Sequence, residues 1–455
     1  MKGQLPPDQN TLFYDFSLER HIPKDHLLRR IDQFLDFDQI HRHLQPFYSH
    51  TGRPSVDPEL LIRMLLVGYC YGIRSERQLC EEVNFNLAYR WFCRLGLEDK
   101  VPDHSTFSKN RHGRFRDSDI LRQVFDTVVQ RCIEEGLVRG EGFAIDASLV
   151  KADVNRQRAV SRGEAIDWGP SDKQSCPVRE YLEALEANAA PKSEPKSISL
   201  TDPSARWTAL KGPAQFAYSN NAMVDVEHGV TVDVQATPAY RTDEVHSTRT
   251  LLERIENRHG LRPKRLMGDT AYGAGENLEY LVREKGIEPH IPVWEKSNRT
   301  DGTYSTTDFI WEEEENAYRC PQGKHLYTTG KVTVDKTILY RSKNKDCASC
   351  PDKYRCCPNT PNRKIARSIF EESRNVARAI TESAAYEEES RHQRKVVEMG
   401  FAHMKQHRKL TRLRLRGLNG ANDEFVMLAA VQNLRKLAKY CSQGPPKAGV
   451  TARAA

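Results

Sequence analysis

The apolar pattern changes period at Gly140, and that change limits what the chain can fold into. Between residues 20 and 136 apolar residues recur at three- and four-residue steps; Leu27, Leu28, Ile31, Phe34 and Leu35 mark one helical face. Gly52-Arg53-Pro54-Ser55 breaks the chain. Asp57-Pro58-Glu59 then opens a strong helix, with Asp57 as N-cap and Pro58 at its first position. Gly72 ends that helix, and Ser75-x-x-Gln78 has the form of a capping box for the next. Two helices joined by a short turn can read DNA, yet any helical bundle contains such pairs. Further helices are expected near 87–95, 105–116 and 119–135, with Gly136 as a stop.

Beyond Gly140 the texture is mixed. Residues 143–150 read as a strand, 216–226 and 229–236 as a hairpin, and 242–258 as an amphipathic helix. A strand over 264–269, a helix over 275–285 and a strand over 287–291 follow. Residues 155–210 are a polar excursion rich in Pro, Ser, Lys and Glu, expected to be partly disordered or docked on DNA. The spacing thus predicts five segments. They are a helical N-terminal domain (1–136), an α/β domain (137–292), a cysteine-bearing insertion (293–375), returning helices (376–441) and a Pro/Ala/Gly-rich disordered tail (442–455). The element order predicts an RNase H-like α/β fold, with an antiparallel meander first and later strands added in parallel.

Three acids stand out. Asp146 and Asp269 each follow a short apolar stretch, Phe143-Ala144-Ile145 and Leu266-Met267-Gly268. Glu398 lies in a helical pattern that is otherwise basic. An acid where a strand meets a Gly-containing loop is on the side where α/β sites form. Arg394 and Lys405 lie at i−4 and i+7 from Glu398, near one face of an ideal helix. Taken alone, each acid is more simply a turn, cap or solvated residue. Together they suggest a carboxylate cluster for divalent metal, since two Mg²⁺ ions can activate water and stabilise the leaving oxygen in phosphodiester cleavage. Mn²⁺ is a substitute for Mg²⁺ in such a site. Asp225, Asp233 and Asp243 read as hairpin and cap residues.

Charge supports a polyanionic partner. The chain has 455 residues and a formal charge of +7, but residues 391–416 alone hold nine Lys or Arg and one acid, Glu398. In Lys405-Gln-His-Arg408-Lys409-Leu-Thr-Arg412-Leu-Arg-Leu-Arg416, basic residues alternate with leucine, so one side can pack while the other meets phosphate. No apolar run approaches the roughly 20 residues that span a bilayer, and the N-terminus lacks a signal-peptide core. A cytoplasmic, nucleoid-associated location is the expectation.

The ordered set of motifs resembles bacterial insertion-sequence transposases of the DDE class, in particular the long subgroup with a helical N-terminal domain and a cysteine-bearing insertion. The resemblance rests on Gly52-Arg53-Pro54 before the Asp57-Pro58 helix, Pro102-Asp103-His104-Ser105-Thr106-Phe107 and Ile145-Asp146-Ala147-Ser148. It rests also on Gly268-Asp269-x-x-Tyr272-Gly273, Arg394…Glu398…Lys405 and Asn433-Leu434-Arg435-Lys436-Leu437. It implies that Asp146, Asp269 and Glu398 are the metal-binding triad and that Arg394 and Lys405 contact transposon-end DNA. Relatives carry Tyr where this chain has Arg391, whose guanidinium can also grip phosphate. A transposase of this kind binds double-stranded DNA, both transposon ends and target, and is expected to act as a homodimer. A catalytically silent DNA-binding relative and an RNase H-fold nuclease are the alternatives.

The eleven cysteines fit a reducing compartment and argue against a disulfide framework. Cys320, then Cys347-x2-Cys350-x5-Cys356-Cys357, can bring four thiolates to one Zn²⁺, the fourth ligand being Cys356 or Cys357. Buried, reduced thiols are the plainer reading of the same residues.

Overall fold

A computed structural model describes residues 16–48, 51, 55–187, 195–209, 212–295 and 301–441. The expectations for 52–54 and for the tail from 442 lie outside them. By contact the chain divides into two compact units. One comprises Met1–Gly140, Asp146–Arg262 and Val396–Ala455; the other comprises Glu141–Ile145 and Pro263–Lys395. The architecture is mixed α/β with a helical N-terminal region.

In the first unit, helix α1 (Pro58–Tyr71) begins where the sequence predicts. The Asp57 carboxylate accepts the Glu59 N–H at 2.8 Å, and Gly72, at φ 70°, closes the helix in the left-handed region. Most of α1 is buried. The next helix, α2 (Glu76–Phe85), carries Ser75 as N-cap and exposes Glu81 as well as Arg77. The pair is therefore largely a packing unit, with an acid on its exposed side. Helix α3 (Ile120–Glu134) buries Val124, Phe125, Val128 and Val129.

Strand β1 (Gly142–Lys151) is the chain's crossing point. Its first residues belong to the second unit and the rest, from Asp146, to the first. In the first unit, β2 (Arg206–Thr208) and β4 (Thr231–Pro238) both pair antiparallel with β3 (Gln215–Asp225), which neighbours β1. Helix α4 (Arg241–His259) follows, then α5 (Lys395–His407) and α6 (Gly417–Tyr440). Helix α6 packs against α1, α3 and β4. It also covers the outer edge of β4: the Asn433 amide accepts the Thr231 N–H at 2.9 Å and donates to the Thr231 carbonyl at 2.8 Å. Asn422 accepts the Ala236 N–H at 3.2 Å. Unpaired strand groups are thus satisfied by side chains.

Within the polar excursion, the described residues 155–187 and 195–209 carry regular structure, and 188–194 and 210 lie outside the described residues. Its helix, Cys176–Glu186, buries Val178 and Tyr181 and is tied by a 2.5 Å ion pair between Arg116 and Glu180. Ala159–Ser161 and Ser197–Ser199 form a two-stranded ladder. A few anchoring apolar residues suffice to order a segment whose average polarity points the other way.

In the second unit, β5 (Arg265–Met267) pairs in parallel with β1, and β6 (Glu288–His290) in parallel with β5. A separate antiparallel sheet of five strands follows: β7 (Ile310–Glu312), β8 (Ala317–Arg319), β9 (His325–Val332), β10 (Thr337–Arg341) and β11 (Lys364–Ser368). Tyr340 meets Trp311 and Tyr318 edge to face, and those two rings lie tilted against each other, with the Arg367 guanidinium 3.9 Å from the Trp311 ring centroid.

Candidate active site and nucleic-acid interface

Asp146 sits where β1 changes from buried to half-buried. Phe143, Ala144 and Ile145 are fully buried, which anchors the strand; from Asp146 to Leu149 the side chains are partly accessible. One Asp146 oxygen accepts the Ala147 N–H at 2.8 Å. Asp269 does not end a strand, as the sequence suggested. Strand β5 stops at Met267, and Asp269 caps a 3-10 turn, Thr270–Tyr272, by accepting the Ala271 N–H at 2.8 Å. Strand pairing gives way because the chain must turn here. A Cβ on Gly268 would press on Tyr272, Ile145 and Ile291, and one on Gly273 would lie 2.0 Å from the Pro292 carbonyl oxygen. Tyr272 is buried, and its carbonyl accepts from Asn277 at 2.9 Å.

Ala144 is in register with Met267, and each aspartate lies two residues further along its own segment. Asp146 and Glu398 belong to the first unit, Asp269 to the second.

Glu398 is exposed in the first turn of α5, which buries Val397, Phe401 and Met404. The approach to this helix differs from the expected continuous α-helix. A π-helical turn, Tyr386–Ser390, is followed by a three-residue helix, Arg391–Gln393, and α5 starts only at Lys395. Arg394, between the two helices, keeps right-handed helical angles (φ −56°, ψ −32°), and its N–H donates to the Ser390 carbonyl at 3.0 Å, so the step from Arg394 to Glu398 stays helical. Arg391 is exposed and pairs with Glu387 at 2.8 Å. Lys405 is half-buried, and that burial lowers its pKa.

After His407 the basic stretch is an extended loop. Leu410 and Leu413 are buried while Lys409, Arg412, Arg414 and Arg416 are exposed, so the alternation seen in sequence is one of burial. The loop runs beside the end of β1, with Leu413 N–H donating to the Lys151 carbonyl at 2.7 Å. Arg408 reaches inward to the Cys70 carbonyl. Arg412 and Arg416 both hold Asp153, at 2.7 and 3.0 Å. Arg74, Lys409, Arg412 and Arg414 surround one open cleft of about 420 Å³ whose lining includes a single acid, Asp153.

Sequence reasoning missed Arg74. It donates to the carbonyls of Lys409 (3.1 Å) and Arg412 (2.7 Å) and pairs with buried Glu424, which in turn accepts the Arg414 and Leu415 N–H groups. Arg74 is therefore a positioning residue for the basic loop. Its partners lie more than 300 residues away, and no local signal links them.

The other acids are structural. Asp225 accepts the N–H groups of Glu227 and His228 in the hairpin turn, and burial pushes its pKa up to about 6. Asp233 receives Arg122 at 2.5 Å and Arg254 at 3.0 Å, both within the first unit. Asp243 lies in the first turn of α4.

Two family models match the chain: a transposase domain (DUF772) over residues 16–113 and a transposase DDE domain over residues 319–438. The chain is an insertion-sequence DDE transposase. Among solved structures, a piggyBac transposase synaptic complex with hairpin DNA aligns with 94% of this chain and 76% of its own, at 11% identity and a TM-score of 0.37. Transposases of the DDE family act on DNA and generally use a divalent metal. The DDE-domain match includes Glu398 and the basic loop; the transposase-domain match includes α1, α2 and Arg74.

Among the described residues, the metal-capable side chains already gathered within 4.8 Å of one another are Glu312, Glu315 and His325. Arg319 holds Glu312 at 2.6 Å, and His325 does so at 2.7 Å, so this trio of the transposase is already partly neutralised by a cation. No helix among the described residues is long and apolar enough to cross a membrane.

Proposed function

We propose that the enzyme binds the terminal inverted repeats of its own element and cuts and joins DNA at Asp146, Asp269 and Glu398. The observation that supports this best is the parallel register of β1 and β5, because both aspartates follow paired residues by the same two positions. The catalytic region is assigned an RNase H-like fold. An antiparallel β3–β4 pair beside β1, with β5 and β6 added in parallel, supports that assignment.

The donor set suits a hard divalent cation: three carboxylates and no sulfur or imidazole. In each aspartate one oxygen takes a backbone N–H, which restricts the side chain. Two Mg²⁺ ions, or Mn²⁺ in their place, would activate the attacking water or 3′ hydroxyl and neutralise the leaving oxygen. Lys405 in the last turn of α5, and Arg408, Lys409 and Arg412 in the loop after it, bind phosphates, and Arg391 and Arg394 do so before α5. Phosphate contacts give affinity without sequence choice, so recognition of the ends falls to the helical N-terminal region, which also serves dimerisation. The enzyme works as a homodimer in the cytoplasm at the nucleoid.

Asp146→Asn, Asp269→Asn and Glu398→Gln should each lower Mg²⁺-dependent nicking of a duplex carrying the element's end. A drop of about 1000-fold or more is expected, since metal-held charge stabilisation is worth several kcal/mol. DNA affinity and melting temperature should stay near wild type. Strand-transfer products in the same assay separate a transposase from a nuclease. Undiminished nicking by any of the three variants defeats the triad assignment.

A further inference from the structure

Five of the eleven cysteines fall between residues 320 and 357, and all five line one small cavity of about 30 Å³ inside the second unit. That is room for a single ion or water. Three turns deliver them. In the turn between β8 and β9, Gly323 N–H donates to the Cys320 carbonyl and Cys320 N–H to the Lys324 carbonyl, both at 2.8 Å. Lys324 N–H then points at the Cys320 sulfur, 3.3 Å away. Gly323 has φ 74°, which this turn requires. A backbone N–H aimed at sulfur stabilises a thiolate better than a thiol.

Cys347 and Cys350 stand at the two ends of a second turn, where Cys350 N–H donates to the Cys347 carbonyl at 3.4 Å. The Ser342 hydroxyl lies 3.0 Å from the Cys347 sulfur. The third turn, Lys353–Cys356, leads into Cys357, whose thiol stands beside those of Cys347 and Cys356. Burial, and then the neighbouring Cys357 thiol, pushes Cys356 up to about 12.

Plain apolar packing explains the buried Cys347, Cys356 and Cys357. Cys320, only partly buried, packs against the same cluster, but packing does not explain why Cys350, also partly buried and outside that cluster, lines the same cavity. Nor does it explain the charge around them: Lys324, Lys353 and Arg363 line the cavity with Asp346 as the one acid. Four thiolates on a divalent ion carry a net charge of −2, which such a cationic wall offsets. The surrounding sheet is built from strands as short as three residues, the size of region that usually needs a staple.

We propose that Cys320, Cys347, Cys350 and Cys357 bind one structural Zn²⁺. Of the adjacent pair, Cys357 is chosen because its thiol reaches Cys347; Cys356 stays outside the ligand shell. The sulfurs are spaced more widely than the Glu312–Glu315–His325 trio, so binding draws the three turns together and releases the thiol protons.

The test uses the full-length protein purified without chelator. Elemental analysis should find about one zinc per chain. Exchange with Co²⁺ should give the thiolate charge-transfer bands and intense d–d bands of a tetrahedral sulfur site. Cys350→Ser and Cys357→Ser should lose the zinc. Cys356→Ser, and Cys132→Ser in α3, should keep it. A folded wild-type chain that holds no zinc and gives no thiolate–cobalt bands overturns the proposal, whatever the variants do. Zinc kept in Cys357→Ser but lost in Cys356→Ser overturns the choice of fourth ligand.

Discussion

The helix-and-sheet unit and the five-stranded sheet solve the same problem with different chemistry. The first seals its interior with partnered charges: Arg122 with Asp233, Arg74 with Glu424, and Arg63 with Asp32. The second uses stacked Trp311, Tyr318 and Tyr340 together with a cluster of thiols, and its core is small. A unit with a large apolar core can tolerate buried ions, whose desolvation cost is offset by neighbours on several elements. A sheet of short strands has no such reserve, and it relies on aromatic area.

The comparison breaks most readily at Arg122. Replacing it with Ala leaves Asp233 buried without its closest cation, and the unit should lose about 3–5 kcal/mol in chemical denaturation. The triple change Arg122→Met/Asp233→Leu/Arg254→Met, which removes both cations with the acid they hold, should recover much of that loss. Equal stability of the single variant and wild type would mean that charges do not hold this interior.

The second test is pH. Burial raises Asp202 to about 6 even though Tyr218 donates a 2.5 Å hydrogen bond to it. A carboxyl whose folded pKa is raised contributes its full stability below the unfolded value near 4 and loses it as pH rises through about 6. Melting temperature should therefore fall from pH 4 to 7, and Asp202→Asn should flatten the slope. The difference is at most about 3 kcal/mol for this one group. Parallel curves for variant and wild type would count against an ionising Asp202. Asp126, Asp225 and Asp423, all raised to about 6 by burial, add to the same trend. The five-stranded sheet holds none of these four, so its hydrogen exchange should be the less pH-sensitive after correction for intrinsic rates.

A third measurement sharpens the contrast from the other side. Trp311→Ala should destabilise residues 301–375 by about 2 kcal/mol, less than for a fully buried Trp. Hydrogen exchange should show that loss there while α3 and α6 keep their protection. The smallest expected effect is at the basic loop. Arg412→Ala should lower end-DNA affinity modestly and reduce the salt slope by about one, because Arg412 already spends part of its charge on Asp153. No change in slope would remove Arg412 from the interface.

Much of this was legible in the sequence because it is local. The Asp57-Pro58 start and Gly72 stop of α1, the strand before Asp146 and the β3–β4 hairpin follow from capping, apolar runs and turn residues. The register of β1 against β5 was not legible, nor was the grip of Arg74 on a loop over 300 residues away. Both depend on which segments meet, and periodicity carries no such information. The π turn before α5 was hidden for a different reason. Its Tyr-Glu-Glu-Glu-Ser sequence suits any helix, and the turn packs onto β6 through Ser390, whose hydroxyl lies 2.7 Å from the His290 ring nitrogen.

Gly273 changes how the Gly-Asp-x-x-Tyr-Gly signature should be read. Two strands of backbone cross at that glycine with no space for a methyl group, and the Trp294 N–H closes the crossing onto the Gly273 carbonyl at 3.0 Å. Half of the signature is thus a steric rule about chain crossing and says nothing of chemistry. A homologue that had lost its acid, and with it all enzymatic power, would still be obliged to keep the glycine. Motif searches scored on the whole signature will therefore count dead relatives among living ones.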